Sequence, residues 1–224
     1  MNEWVAMPRF KLVVFDWDGT LVDSTARIVD SMQQAAREQN LLKVSDAQVQ
    51  NIIGLGLPEA IRVLWPSIAD AEIEALIPVY GRFFIRDSAV AMAPFVDAIA
   101  LLQDLLARGH VLAVATGKKR KGLDRMFREL NLGHFFAASR CADETRSKPD
   151  PLMLNELLQE LSVDKSEALM IGDTTYDLDM ANAAGVASVA MSHGAHDQAR
   201  LLSCKPLALC HSMRELNEWM KHHG

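Results

Sequence analysis

With 224 residues the chain has room for one large domain, or for a domain carrying a smaller insertion, and for a substantial core. Half of its residues are hydrophobic and its formal net charge is −6. There is no basic stripe of the kind that tracks a nucleic-acid backbone, and Lys118-Lys119-Arg120-Lys121 is a single local run. No apolar stretch approaches the roughly 20 residues of a membrane span. Met1 to Lys11 lacks the basic-then-apolar order of a signal peptide, with Met7-Pro8 marking a plausible ordered start. The three cysteines, Cys141, Cys204 and Cys210, show no CxxC spacing and read as free thiols, which fits a cytoplasmic protein.

In chain order, Val13-Val14-Phe15 reads as a buried strand running into Asp16-Trp17-Asp18-Gly19-Thr20-Leu21-Val22-Asp23. Two acids separated by one residue, followed by a glycine that permits a tight turn, suit chemistry in which one carboxylate attacks and the other moves a proton. Asp-Gly is also a common hairpin dipeptide. Here, however, Ala26, Ile28, Val29, Met32, Ala35 and Ala36 follow at helical spacing, with Asp23-Ser24 as N-cap. A calcium loop counted from Asp16 would need glycine and glutamate where the chain has Leu21 and Arg27.

From Ser24 to Arg86 there is no convincing strand. The segment reads as helices broken at Asn40, at Gly54-Leu55-Gly56-Leu57-Pro58 and at Trp65-Pro66. Arg62 reads as an exposed helical arginine. After Ala93-Pro94 the pattern becomes helix (Phe95 to Arg108), strand (Val111 to Ala115), helix (Arg120 to Leu130) and a short strand near Phe135 to Ala138. Later strands fall at Ala168 to Ile171, Ala187 to Ala190 and, more weakly, Leu207 to Cys210. Short runs apolar on both faces and separated by helices predict an α/β fold with a doubly wound, mostly parallel sheet, whose ligands bind beyond the carboxyl ends of the strands.

Three further strand ends carry polar groups. Thr116-Gly117-Lys118 places a hydroxyl and a glycine where an anion could sit, without the glycine pattern of a nucleotide P-loop. Lys148-Pro149-Asp150-Pro151 fixes a lysine in a proline-stiffened loop before a helix beginning near Leu152. Gly172-Asp173 is followed one helical turn later by Asp177. Acids there suit either the helix dipole or a hard cation. His193 and His196 read as a surface loop, and Trp17 as core.

These four pieces in this order resemble the haloacid dehalogenase-like hydrolase superfamily: Asp16-Trp17-Asp18-Gly19-Thr20, Thr116-Gly117, Lys148-Pro149, and Gly172-Asp173 with Asp177. The resemblance covers nearly the whole chain. It implies a Rossmann-like core from residues 1–22 and 88–224 and an inserted helical cap from residues 23–87, similar to the branch containing phosphoglycolate phosphatases and β-phosphoglucomutase. Gly54, Leu55 and Gly56 resemble the cap loop that reaches the substrate.

The resemblance further implies a small phosphorylated metabolite as substrate, with Asp16 as nucleophile and Asp18 as acid and base. Thr116, Gly117 and Lys148 would hold the phosphoryl group, and Mg²⁺ would be bound by Asp16, the Asp18 carbonyl and Asp173. Asp177 would orient Lys148 or hold a metal-bound water. Phosphomonoester hydrolysis is the expected reaction, with a mutase or a pyrophosphatase as alternatives. A dehalogenase would not need Asp18, Asp173 or Asp177.

Overall fold

The computed structural model describes residues 9–224, so the expectation of an ordered start at Met7-Pro8 lies outside the described residues. Six parallel strands form the main sheet: β1 (Leu12–Phe15), β4 (Val111–Thr116), β5 (Ala138–Cys141), β6 (Ala168–Gly172), β7 (Ala187–Met191) and β8 (Ala208–Cys210), in the order β5-β4-β1-β6-β7-β8. The chain builds outward from β1 on one side and then returns to build on the other. This places the topological switch at the carboxyl end of β1, where open α/β sheets leave a crevice.

The two faces of β1 explain why its sequence is apolar without alternation. Val13 and Phe15 pack with α5 (Ala98–Ala107), α6 (Arg120–Leu130) and α10 (Met213–His223), whereas Leu12 and Val14 pack with α7 (Leu152–Leu161) and α8 (Thr175–Ala184). Each such side chain, fully buried, contributes about 1.5–3 kcal/mol. The short helix α9 (Gln198–Ser203) covers Ala190 through Leu201.

Between β1 and β4 the chain forms α1 (Thr25–Glu38), α2 (Asp46–Asn51), α3 (Leu57–Leu64) and α4 (Asp70–Arg82), then a π-helical turn over Phe83–Asp87. Their buried side chains, among them Met32, Val49, Ile61, Leu76 and Phe84, make a hydrophobic cluster separate from those that flank the sheet. The helical insertion is tied to the core by a two-stranded ribbon, β2 (Val22–Asp23) paired antiparallel with β3 (Ala93–Pro94). Arg27 closes the return by donating to the carbonyls of Phe84 (2.7 Å) and Val90 (2.8 Å).

Several boundaries differ from the sequence reading. The strand expected near Phe135 to Ala138 lies at Ala138–Cys141, because Gly133–Phe135 forms a 3₁₀ turn that buries Phe135. The polar Ser139 and Arg140 hide that edge strand, and Arg140 is matched by Glu156 and Glu160 of α7. The helix expected from Phe95 starts at Ala98, after Asp97 turns the backbone at φ 65°. Ser24 occupies the N-cap position of α1 but makes no side-chain cap bond. All three cysteines are free. Among the described residues, no helix is long and apolar enough to cross a membrane.

Candidate active site

The carboxyl end of β1 is held in register by the Asp16 amide, which donates to the Ile171 carbonyl of β6 at 2.9 Å. Beyond it the chain folds back on itself, the amides of Leu21 and Val22 donating to the Trp17 carbonyl. Gly19 adopts φ +82°, and a Cβ there would lie 2.3 Å from Oδ2 of Asp173. The glycine of the first motif is thus required both by backbone conformation and by the close approach of a second acid. Trp17 points away from this turn into the core, edge-on to Phe127 at 5.3 Å.

Lys148 is fully buried between two carboxylates, its Nζ donating to Asp16 Oδ1 at 2.5 Å and to Asp177 Oδ1 at 2.6 Å. Burial alone would lower its pKa, but the two acids outweigh that and hold it above its usual value. Asp177 Oδ2 in turn accepts from the Thr174 amide and hydroxyl, at 3.1 and 2.7 Å, in a reciprocal cap of α8. Asp173 accepts from the Thr20 hydroxyl (2.6 Å) and the Ala195 amide (2.7 Å).

Asp16, Asp173 and Asp177 are all buried, and one carboxylate oxygen of each lies within 4.8 Å of the others. Three acids against the single ammonium of Lys148 leave two negative charges uncompensated when all are ionised. Burial first, and then the neighbouring Asp177, push the Asp173 carboxyl up to about 7. Asp16 is likewise raised by burial, against the pull of Lys148. Among the described residues its Oδ2, which is buried, finds no hydrogen-bond partner. An all-oxygen, electron-rich cluster with an orphaned oxygen is the donor set of a hard divalent cation.

Asp18 faces a different set of groups. Its Oδ1 accepts from Ser24 at 2.6 Å, and its Oδ2 lies 2.9 Å from Nζ of Lys118. Lys118 sits in turn 4.6 Å from the centre of the Phe84 ring, so it joins the core to the insertion. The Asp18 carboxylate therefore stands apart from the three-acid cluster. Burial and proximity to Asp18 keep the nearby Tyr80 hydroxyl protonated.

Asp16, Asp18, Thr116, Gly117, Gly54 and Leu55 all line one cavity of about 350 Å³. The Gly54–Gly56 loop is seated against the core. A Cβ on Gly117 would lie 2.4 Å from the Leu55 carbonyl oxygen, and the Gly56 amide donates to Ser147 Oγ at 2.8 Å. Arg62 pairs instead with Asp70 on the outer surface. His196 contradicts the surface-loop expectation: it is 2 % exposed, its Nδ1 accepts from the Thr175 amide, and its Nε2 lies 3.2 Å from the Asn51 carbonyl of the insertion. His193 is half-buried, with its ring 4.0 Å from that of Phe95. Sequence reasoning missed Lys118, which is concealed in a basic run, and Ser24, which doubles as a plausible cap.

The family model for haloacid dehalogenase-like hydrolases matches residues 13–191. A phosphoglycolate phosphatase of Rhodospirillum rubrum is 31% identical over 219 residues, covering 94% of this chain and 90% of that protein. One from Vibrio cholerae serotype O1 is 29% identical, covering 89% and 92%. Among solved structures, a predicted phosphoglycolate phosphatase from Haemophilus somnus 129PT superimposes with a TM-score of 0.86 at 23% identity, covering 96% of this chain and 99% of that one. A hydrolase from Pseudomonas syringae gives 0.86 at 21% identity, covering 95% and 98%. The parallel core with its helical insertion is thus the fold of those proteins, and the chain belongs to the haloacid dehalogenase-like hydrolases.

Proposed function

We propose that this protein is a Mg²⁺-dependent phosphatase that hydrolyses a small phosphomonoester through a phosphorylated Asp16. The observation that carries the reading is the pairing of a buried Lys148 with Asp16 at 2.5 Å in a three-acid cluster whose Asp16 lines a cavity. Asp16 Oδ1 is fixed by Lys148, while Oδ2 has no partner among the described residues. A fixed carboxylate of this kind is a nucleophile positioned without reorganisation.

The Lys148 ammonium, held by Asp177, would offset negative charge on the phosphoryl oxygens, with Thr116 and the Gly117 loop completing the cradle. Of the two roles left open for Asp177, orientation of Lys148 is supported by their 2.6 Å contact. Mg²⁺, held by Asp16, Asp173 and the Asp18 carbonyl, with Asp177 also within the cluster, would supply Lewis-acid neutralisation of the transferring group. Asp18 would give a proton to the leaving oxygen and later take one from water. Its carboxylate lines the cavity and is held by Ser24 and Lys118, outside the metal cluster.

In this reading residues 23–87 act as a cap over residues 1–22 and 88–224. The substrate is phosphoglycolate-like or a sugar phosphate, since relatives at 31% and 29% identity are phosphoglycolate phosphatases. The test is turnover of p-nitrophenyl phosphate. It is expected to stop in excess EDTA, to return with Mg²⁺, and to fall by several orders of magnitude in Asp16→Asn, whose amide cannot form the intermediate. Undiminished turnover in chelator, or in that variant, refutes the reading.

A further inference from the structure

The walls of the cavity above Asp16 differ in kind. The wall built by the helical insertion includes Ile52, Leu57, Ile77, Tyr80 and Phe84 and carries no charged side chain. The opposite wall is made by α6 and the loop before it, and carries Lys118, Lys119, Lys121, Arg125 and Arg128. Among the described residues, Asp16 and Asp18 are the only acids on the lining. Lys118 is committed to Asp18, but Arg125 is not committed to anything comparable.

Among the described residues, Nε and Nη1 of Arg125 are both buried without a hydrogen-bond acceptor, and its side chain is 19% exposed. Glu129 lies one turn further along the same helix, 3.5 Å from Nε, too far for a well-formed bond. Guanidinium donors taken out of water without an acceptor are costly, and Arg is suited to planar, two-pronged recognition of carboxylate or phosphate. Arg125 lies five residues beyond the start of α6, about 7.5 Å along the axis from the helix end beside the Thr116 loop. An anion on Arg125 therefore belongs to a part of the ligand other than the phosphoryl group, which Lys148 and the Thr116 loop would hold.

We propose that the substrate is an amphipathic phosphomonoester whose alcohol has an extended apolar body and, at its far end, a second anionic group. The body lies on the wall formed by Leu57, Ile77 and Phe84, and the anion is received by Arg125. A cavity of about 350 Å³ falls within the size range of sites that enclose extended ligands, and a two-carbon alcohol would leave its apolar wall uncovered. The inference rests on Asp16 as the phosphoryl site; it keeps the second anion of a phosphoglycolate-like substrate and replaces the short or polar alcohol of phosphoglycolate and sugar phosphates with a longer, apolar one.

The test is calorimetric binding, with Mg²⁺, of four non-hydrolysable phosphonates: methylphosphonate, hexylphosphonate, phosphonoacetate and 6-phosphonohexanoate. Hexylphosphonate is expected to bind at least tenfold tighter than methylphosphonate, and 6-phosphonohexanoate at least fivefold tighter again. Arg125→Met should abolish the second gain and keep the first, and Arg125→Lys should restore part of the second. Thermal melts of both variants establish that they are folded. Equal affinity for the methyl and hexyl compounds, tightest binding of phosphonoacetate, or a carboxylate gain that survives in Arg125→Met each overturns the proposal. Turnover of p-nitrophenyl phosphate is read in parallel. Hydrolysis without chain-length preference sinks this inference alone. Chain-length preference without hydrolysis supports it and sinks the hydrolase reading.

Discussion

The floor and the roof of the cavity are built from opposite materials. On the floor, Asp16 reaches the lining and is backed by Lys148, Asp173 and Asp177, buried charges each held by another charge or by a backbone or hydroxyl donor. On the roof, Leu57, Ile77 and Phe84 present only apolar surface, on helices whose own core is separate from that of the sheet. A charged floor must be complete to be tolerated, because each member compensates another in a medium that screens poorly. An apolar roof carries no such constraint, and its side chains can change without leaving a charge unpaired. The floor is thus suited to fixed chemistry and the roof to choice of leaving group.

The strongest way to break this comparison is to remove one member of the floor. Lys148→Met keeps the length and volume of the side chain but leaves Asp16 and Asp177 facing each other without a cation. Loss of one such electrostatic contact is expected to lower kcat on p-nitrophenyl phosphate by about 10²–10³-fold. Breaking a buried pair also costs about 3–5 kcal/mol of stability, towards the lower end here because the raised Asp16 carboxyl can take up a proton. Steady-state kinetics and urea unfolding check both numbers. A loss below tenfold in kcat would mean that the floor is not the interdependent unit described above.

Gly117→Ala addresses the seam between floor and roof. The added Cβ would meet the carbonyl oxygens of Leu55 and Gly54 at 2.4 and 2.6 Å, and these are backbone atoms that cannot swing aside. The Gly54–Gly56 loop must lift, so kcat/KM should fall by about tenfold to a hundredfold, the range expected for a displacement of about 1 Å near reacting groups. Core stability should change by less than about 1 kcal/mol. Faster hydrogen exchange at residues 54–57 with an unchanged urea midpoint is the expected signature. Unchanged exchange would show that the loop is not seated on Gly117.

How much of this was legible in the chain depends on whether the information is local. The strand into Asp16 and the turn through Gly19 are consecutive residues, so their pattern carries both the burial and the tight reversal. The meeting of Lys148 with Asp16, 132 positions away, has no local signal and was available only through the resemblance of the four motifs. The ribbon of Val22–Asp23 with Ala93–Pro94 is too short to show a period of two. Ser24 could not be assigned because a cap serine and a serine donating to a carboxylate look alike in sequence. His196 was misplaced because Ser192-His193-Gly194 has the composition of a loop, while its burial comes from Asn51 and Thr175, which belong to other elements. The roof was the least legible part. Apolar periodicity predicts the helices, but not which of Ile61, buried in the helical core, and Ile77, on the cavity wall, faces the ligand.

A control outside both floor and roof gives the smallest effect and sharpens the contrast. His110 precedes β4 at the end of the sheet away from the site, is 4 % exposed, and donates from Nδ1 to the Phe10 carbonyl at 2.6 Å. Burial, reinforced by Arg108, outweighs that hydrogen bond and holds its pKa below the usual histidine value. The folded state therefore favours the neutral ring. Between the two pKa values the unfolded chain binds more protons, so this contribution to stability is fully present above the unfolded pKa of about 6.5 and is lost as pH falls through the lower folded value. His110→Gln keeps a side-chain donor for Phe10 but cannot titrate. The urea midpoint of the wild type should exceed that of the variant most at pH 7.5, and the difference should shrink steadily towards pH 5, while kcat at pH 7.5 stays unchanged because neither wall of the cavity is touched. A difference that is constant with pH would show that His110 is not held neutral. A fall in kcat at pH 7.5 would show that the far end of β4 is coupled to Thr116, and the division between site and scaffold would have to be redrawn along that strand.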